Sequence, residues 1–252
     1  MSQLTGCRIL NTRPKGQAAS LTAALEALNA TVIELPLLEI TPTSRWRTRL
    51  PDLTQFKYAI FTSPNAVTYF FERIPAHICP ETLSIIAIGQ GTAHTLLKYG
   101  LTSKLSPEEA NSESMLNLPA LQHIKHTKIL LIKGIGGRQL IEKTLRARGA
   151  ELEICAVYRR KCPETTFQAL QSLWQKDAID MIIITSATML RYLFQYAEEE
   201  TIRDWLRNKP FFVISERIAR QFKHEKIKTM IVTSYDNLLN TLKDFSHEQC
   251  NG

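Results

Sequence analysis

The sequence predicts an α/β protein made of two similar domains, each a parallel sheet with helices on both faces. Short runs rich in β-branched residues alternate with amphipathic segments from end to end. Most of these runs are apolar on both faces, the pattern of strands covered from two sides. Strand, helix, strand in succession builds right-handed βαβ units. The pattern also recurs: Ile9-Leu10, Ile60 to Ser63 and Ala87 to Gly89 find counterparts at Ile129-Leu130, Ile183 to Ser186 and Val213 to Ser215, in the same order and at offsets that drift slowly. With 252 residues, the chain has room for one to two domains of ~150 residues.

The expected strands are 8–11, 31–35, 58–61, 84–88, 128–132, 152–155, 181–184, 211–214 and 230–232. Between the first two, 18–28 reads as a helix with Leu21, Leu25 and Leu28 on one stripe. Residues 138–148 read likewise, through Leu140, Ile141 and Leu145. Two divisions of the repeat are compatible with this order. One is contiguous, with a boundary near 123–127. The other exchanges the first unit of each half, so that the chain crosses between domains at 36–42 and again at 155–161. Both of those stretches read as extended, and Pro36 and Pro42 disfavour helix in the first.

Composition narrows the class. Hydrophobic residues make up 44% and charged residues 22%, ordinary globular values that exclude disorder and fibrous repeats. No apolar run approaches the ~20 residues of a membrane helix, and residues 1–7 lack the basic flank and apolar core of a secretory signal. Cys7, Cys79, Cys155, Cys162 and Cys250 are scattered without a CxxC, which reads as reduced thiols in the cytoplasm. The net charge of +7 favours an anionic partner. The densest basic stretch, 223–228, is broken by Glu225 and has no interleaved aromatics, so it reads as a solvated helix end rather than a nucleic-acid patch.

Ligands of parallel α/β sheets bind where strands end and helices begin, because the first-turn amides there are unpaired and partly positive. Small polar residues stand at those places: Thr12-Arg13, Thr62-Ser63-Pro64-Asn65, Gly89 to Thr92, Gly134 to Arg138, Thr185 to Thr188 and Ser215 to Arg217. Ser63, Ser186 and Ser215 also suit helix caps, a role compatible with amides left free for an anion. Gly134-Ile135-Gly136-Gly137-Arg138-Gln139 puts Gln139 where a dinucleotide fingerprint needs its third glycine, and no P-loop is present, so a nucleotide-dependent transferase is disfavoured. His123 and His126 lack companion ligands and read as surface residues, giving no metal site. No GxSxG elbow occurs. Cys155 reads as packed and Cys162, beside Lys161 and Pro163, as structural; Glu198 to Glu200 read as a solvated helix end. Tyr158 stands out, extended among Arg159, Arg160 and Lys161, where a phenol could give a proton to a leaving hydroxyl.

Together these segments resemble the uroporphyrinogen-III synthase (HemD) family over nearly the whole chain. The resemblance rests on Asn11-Thr12-Arg13-Pro14 with Gln17, 35–40 (LPLLEI), 61–67 (FTSPNAV), 87–93 (AIGQGTA), Gly149-Ala150 and Val157-Tyr158-Arg159-Arg160. It implies two flavodoxin-like, HemD-like α/β domains joined by a two-stranded β-ladder, with the active site in the cleft. One domain would be 1–35 with 162–252, the other 42–153, and 36–41 and 154–161 the linker strands. The implied reaction cyclises hydroxymethylbilane to uroporphyrinogen III with inversion of ring D and loss of water, using neither metal nor organic cofactor. The expected partner is that small molecule, with no nucleic acid and no membrane; the chain would act as a monomer, open to transient contact with hydroxymethylbilane synthase. By matching position, Tyr158 resembles the family's tyrosine that assists hydroxyl departure. Ser63, Asn65 and Thr92 are implied contacts on one side, Ser186, Thr188 and Ser215 on the other. Arg13, Gly136, Gly137 and Arg138 are expected carboxylate contacts, from charge and amide geometry. One departure is that 215–219 read Ser-Glu-Arg-Ile-Ala, so Ile218 stands where relatives place a hydroxyl. A non-catalytic two-domain protein closing on an anionic metabolite would share fold and charge.

Overall fold

The computed structural model describes residues 4–43, 46, 52–104, 107, 109–137 and 139–250. The chain divides into two compact units, Met1–Glu39 with Lys161–Gly252, and Ile40–Arg160. It opens in the first unit with β1 (Arg8–Asn11), α1 (Lys15–Glu26) and β2 (Thr31–Glu34). It passes through β3 (Glu39–Pro42) into β4 (Tyr58–Phe61), α2 (Pro64–Phe71), β5 (Ser84–Ala87), α3 (Gln90–Leu97), α4 (Ser112–Leu116), β6 (Lys128–Gly134), α5 (Leu140–Ala147) and β7 (Glu151–Lys161). The first unit is then completed by α6 (Thr166–Gln175), β8 (Met181–Ile184), α7 (Ala187–Tyr196), α8 (Glu200–Arg207), β9 (Phe211–Val213), α9 (Glu216–Gln221), β10 (Met230–Val232) and α10 (Leu238–Cys250).

Each unit holds a five-stranded sheet. The first runs β10-β9-β8-β1-β2 with every neighbouring pair parallel. The second runs β3-β7-β6-β4-β5, with β7/β6, β6/β4 and β4/β5 parallel. Alternation along the strands feeds two cores per sheet. In the first unit Leu10, Ile182, Ile184 and Phe211 pack with the inner sides of α6 to α9. Ile9, Ile183 and Phe212 point the other way, onto Leu21 and Leu25 of α1 and Leu238 and Leu242 of α10. In the second unit Phe61, Leu130 and Ile132 meet Val67, Phe70 and Leu96, whereas Ile60, Ile129 and Leu131 meet Met115, Ile141 and Leu145. Full burial of an Ile or Leu contributes ~1.5–3 kcal/mol, so two-sided burial is what makes strands of three or four residues stable.

The repeat seen in sequence is visible in the sheets. Laying β6 on β1 carries β7, β4 and β5 onto β2, β8 and β9. In the first unit the β1–α1–β2 segment precedes the β8 and β9 strands; in the second, β6–α5–β7 follows β4 and β5, so the units are circular permutations of one plan. Some boundaries differ from expectation. The expected strand 152–155 and the extended stretch 155–161 are one strand of eleven residues, β7, which lies beside β3 in the sheet of the second unit. Helix α1 starts three residues earlier than the expected 18 and ends at Glu26 rather than 28, because Asn29 turns left-handed at φ +63° before β2.

At the start of β1 and β8, Arg8 Nη2 meets Asp180 Oδ1 at 2.6 Å, and the Arg8 backbone N–H donates to Asp180 Oδ2 at 2.8 Å. The Arg8 guanidinium holds the Asp180 carboxyl below its ordinary value. A lowered folded-state value adds stability above the unfolded ~3.9, lost as pH falls through the folded value. Asp180→Asn is therefore expected to cost ~1 kcal/mol at pH 7, the pair being partly solvated. In urea unfolding this deficit shrinks steadily below pH ~4; a deficit independent of pH would place its cause elsewhere.

Candidate active site

The strand order of the second unit reverses between β4 and β6, so their following helices leave in opposite directions and open a crevice at the strand ends. Thr62, just past β4, fastens this point: its N–H and its Oγ1 both donate to the Ile132 carbonyl, at 3.1 and 3.2 Å. Ser63 follows as the N-cap of α2, its Oγ accepting from the Ala66 N–H at 3.2 Å, with Pro64 in the first helical turn. Beside it β6 ends at Gly134, and Gly136 and Gly137 follow at φ +79° and +83°, a left-handed pair that side chains rarely adopt.

The register between β6 and β7 shifts at this end: Lys133 pairs with Ala156, yet Gly134 pairs with Tyr158. The extra residue breaks the alternation, so Val157 and Tyr158 enter the same core although adjacent in sequence. The Tyr158 ring is 2% exposed and lies flat against Gly134. A Cβ at Gly134 would come within 2.6 Å of its Cε2 and Cζ. Tyr69 stacks on the ring at 6.0 Å between centroids and is itself held by a 2.8 Å hydrogen bond from its hydroxyl to the Ile40 carbonyl.

Only the hydroxyl of Tyr158 is in polar company. Ser63 Oγ lies 3.1 Å away, and Arg160 Nη2 donates to it at 3.2 Å, with the guanidinium 5.5 Å from the ring centroid. A guanidinium can only donate, so the phenol oxygen accepts there and its own proton points elsewhere, toward Ser63 or the open space. That space is a cavity of about 290 Å³ bordered by Ser63, Gly134, Gly136, Gly137, Tyr158 and Arg160. Its wall also holds a Lys133–Glu142 ion pair, the two side chains 14% and 16% exposed, and Asn111, whose Oδ1 caps α4 by accepting from the Ser114 N–H at 2.6 Å.

The structure thus brings Ser63, Gly136, Gly137 and Tyr158 together. Asn65 is half-buried in the first turn of α2 and does not border the cavity. Thr92 is 2% exposed and does not border the cavity; its hydroxyl donates to the Ile88 carbonyl, four residues back and just ahead of α3. Arg138 lies outside the described residues. In the first unit the order reverses between β1 and β8, and Thr12 Oγ1 bridges it with a 2.7 Å bond to the Ile183 carbonyl. Arg13 follows, its guanidinium 4.7 Å over the Tyr235 ring and its Nε buried with no hydrogen-bond partner. Ser186 caps α7 through the Met189 N–H at 3.2 Å, with Thr188 in the same turn. Ser215 occupies the N-cap of α9, but unlike Ser63 and Ser186 its hydroxyl makes no capping bond. Cys155 is buried, its thiol pushed up to about 12, and burial also raises Cys162, so neither is a ready nucleophile.

A family model, uroporphyrinogen-III synthase HemD, matches residues 19–237. This chain belongs to that family. The uroporphyrinogen-III synthase of Salmonella typhimurium (strain LT2) is 31% identical over 247 residues, 93% of this chain and 99% of the relative. That of Escherichia coli (strain K12) is 30% identical over 244 residues, again 93% and 99%. The fold is shared with a mutant uroporphyrinogen III synthase from the extremely thermophilic bacterium Thermus thermophilus, at TM-score 0.64 and 18% identity over 98% of this chain and 100% of that one. A second match is the Helicobacter pylori 26695 enzyme, at TM-score 0.60 and 15% identity over 95% and 99%. Of the residues at the cavity in this family member, Lys133, Glu142 and Asn111 were not singled out from sequence. Lys133 carried a signal, being a charge directly after the apolar run Ile129 to Ile132.

Overpacking at Gly134 tests how the ring is seated. Gly134→Ala is expected to cost ~1–3 kcal/mol in urea unfolding and to cost far less in a Tyr158→Ala background. An equal cost in both backgrounds would put the strain somewhere other than the ring.

Proposed function

We propose that this member of the family cyclises hydroxymethylbilane to uroporphyrinogen III, inverting ring D and releasing water, with Tyr158 supplying the proton for the departing hydroxyl. The observation that carries this reading is the Tyr158 hydroxyl itself, the single polar end of a buried ring, presented at the cavity between Ser63 and Arg160. The hydroxymethyl C–O bond of ring A breaks as the oxygen takes the phenol proton; water leaves, and an azafulvene cation and a phenolate remain. Arg160, already donating to that oxygen, and the Ser63 hydroxyl stabilise the phenolate. Ring D attacks the cation through its substituted carbon, and the spiro-pyrrolenine fragments and recloses with ring D reversed. The proton lost as aromaticity returns restores the phenol.

Such steps need orientation and charge stabilisation more than a strong nucleophile. The substrate's eight carboxylates suit a chain of net charge +7. Gly136 and Gly137 let backbone approach a carboxylate closely, with Ser63 beside them. Arg13, Ser186 and Thr188 are the corresponding contacts proposed for the first unit, at its own strand-order reversal. Asn65 follows Ser63 by two residues at the start of α2, and Arg138 directly follows the glycine pair in sequence.

The decisive assay is the product. Incubation with hydroxymethylbilane and chromatographic separation of isomers is expected to give isomer III; isomer I alone, the spontaneous product, would leave a binding protein. Within that assay Tyr158→Phe is expected to lower kcat ~10-fold or more, the scale of one lost proton donor. Arg160→Gln should lower kcat with little change in KM and add nothing further in the Tyr158→Phe background. Multiplying losses, or a KM rise alone, would give Arg160 a role independent of the phenol.

A further inference from the structure

Beyond Arg13, the described arginines of the first unit fall into two sets. Arg8 faces Asp180, Arg207 faces Glu200 and Asp204, and Arg220 faces Glu216. Arg191 of α7, Arg203 of α8 and Arg217 of α9 meet no carboxylate among the described residues, and all three border one groove of about 650 Å³. Arg203 is anchored by a 2.7 Å bond from its Nε to the Ala197 carbonyl, which fixes its fork while leaving the terminal nitrogens for another partner. Arg191 lies over the neighbouring Tyr192 ring, 5.5 Å from its centroid. The acid bordering the groove, Glu225, already faces His224 at 3.4 Å and Arg207 at 3.9 Å. The floor is apolar, from Phe194 and Phe222.

Three guanidinium groups gathered without a counter-charge repel one another, and each offers a planar pair of donors matched to an oxyanion. We propose that this groove is a binding site for a small multiply charged oxyanion, carboxylate or phosphate, held by Arg191, Arg203 and Arg217. Thr188, at its rim, would add a hydroxyl. Apart from Thr188, already proposed as a substrate contact, the site stands on residues of its own, and it does not depend on the reaction assigned to Tyr158. Two sources share the chemistry: the acidic side chains of a substrate and a free phosphate compound.

The probe is pyrophosphate, titrated calorimetrically into the whole chain at low ionic strength, where such contacts are least screened. Saturable binding of one equivalent is expected. An exposed guanidinium–oxyanion contact is worth ~2–5-fold, so Arg191→Gln/Arg203→Gln/Arg217→Gln should weaken binding at least ~10-fold while its circular dichroism and melting match the parent. Lys223→Gln/Lys226→Gln/Lys228→Gln removes the same charge from the neighbouring basic stretch and should leave binding within ~2-fold. No saturable binding, or equal losses in both triple variants, overturns the proposal, the latter because diffuse charge would suffice. The KM for hydroxymethylbilane in the arginine variant separates the sources. A rise in parallel with the pyrophosphate loss assigns the groove to substrate carboxylates, and an unchanged KM to a separate phosphate compound.

Discussion

Burial of the strands on both faces constrains everything else in each unit. Ile182 and Ile183, or Ile60 and Phe61, are adjacent residues that vanish into opposite cores. A sheet so covered offers a ligand no face, only its ends. At the carboxyl ends the helices begin, their first amides unpaired and partly positive. Where the strand order reverses, neighbouring helices diverge and the ends become accessible. The same physics that makes the strands apolar therefore forces the polar residues Thr12, Ser63 and Ser186, and the bare backbone of Gly134, into the few places where chemistry is possible.

Tyr158 shows how that constraint is turned into a directed group. A fully exposed tyrosine at a strand end would sample many rotamers, and a fully enclosed one would offer nothing. Here an extra residue in β7 turns the side chain into the core, and Gly134 gives the ring a flat bed. Tyr69 stacks on the ring as well. Packing thus holds the aromatic body and leaves the oxygen among donors, so orientation is secured before substrate arrives. Arg160 occupies one side of that oxygen and fixes which way its proton can point.

Much of this was legible in the residues. The strands were readable because double-sided burial leaves unbroken runs such as Met181 to Ile184, and the repeat because equivalent strands carry equivalent ends. Ser63 and Ser186 read correctly as caps. Ser215 did not, since a serine at an N-cap announces a capacity that the local rotamer need not use. Nor does the sequence tell where the Thr92 hydroxyl goes: in a first turn it can bond the backbone four residues back as readily as a ligand. The bulge at Val157, the Lys133–Glu142 pair and the seating of Tyr158 on Gly134 were beyond reach, because each joins residues from different elements and depends on tertiary register.

The permuted repeat finally explains why the two units differ in chemistry despite their shared plan. Strand β7 corresponds to β2, with Glu151 standing where Thr31 stands, so the position equivalent to Tyr158 is Leu38. Leu38 packs against the core of the first unit and can donate nothing. Pro14 likewise takes the place of Gly134, and its ring would not give a tyrosine the flat surface that glycine does. One copy of the plan thus carries a seated phenol with a cation beside it. The other keeps its strand-end hydroxyls and arginines, which suit holding acidic groups but not delivering a proton.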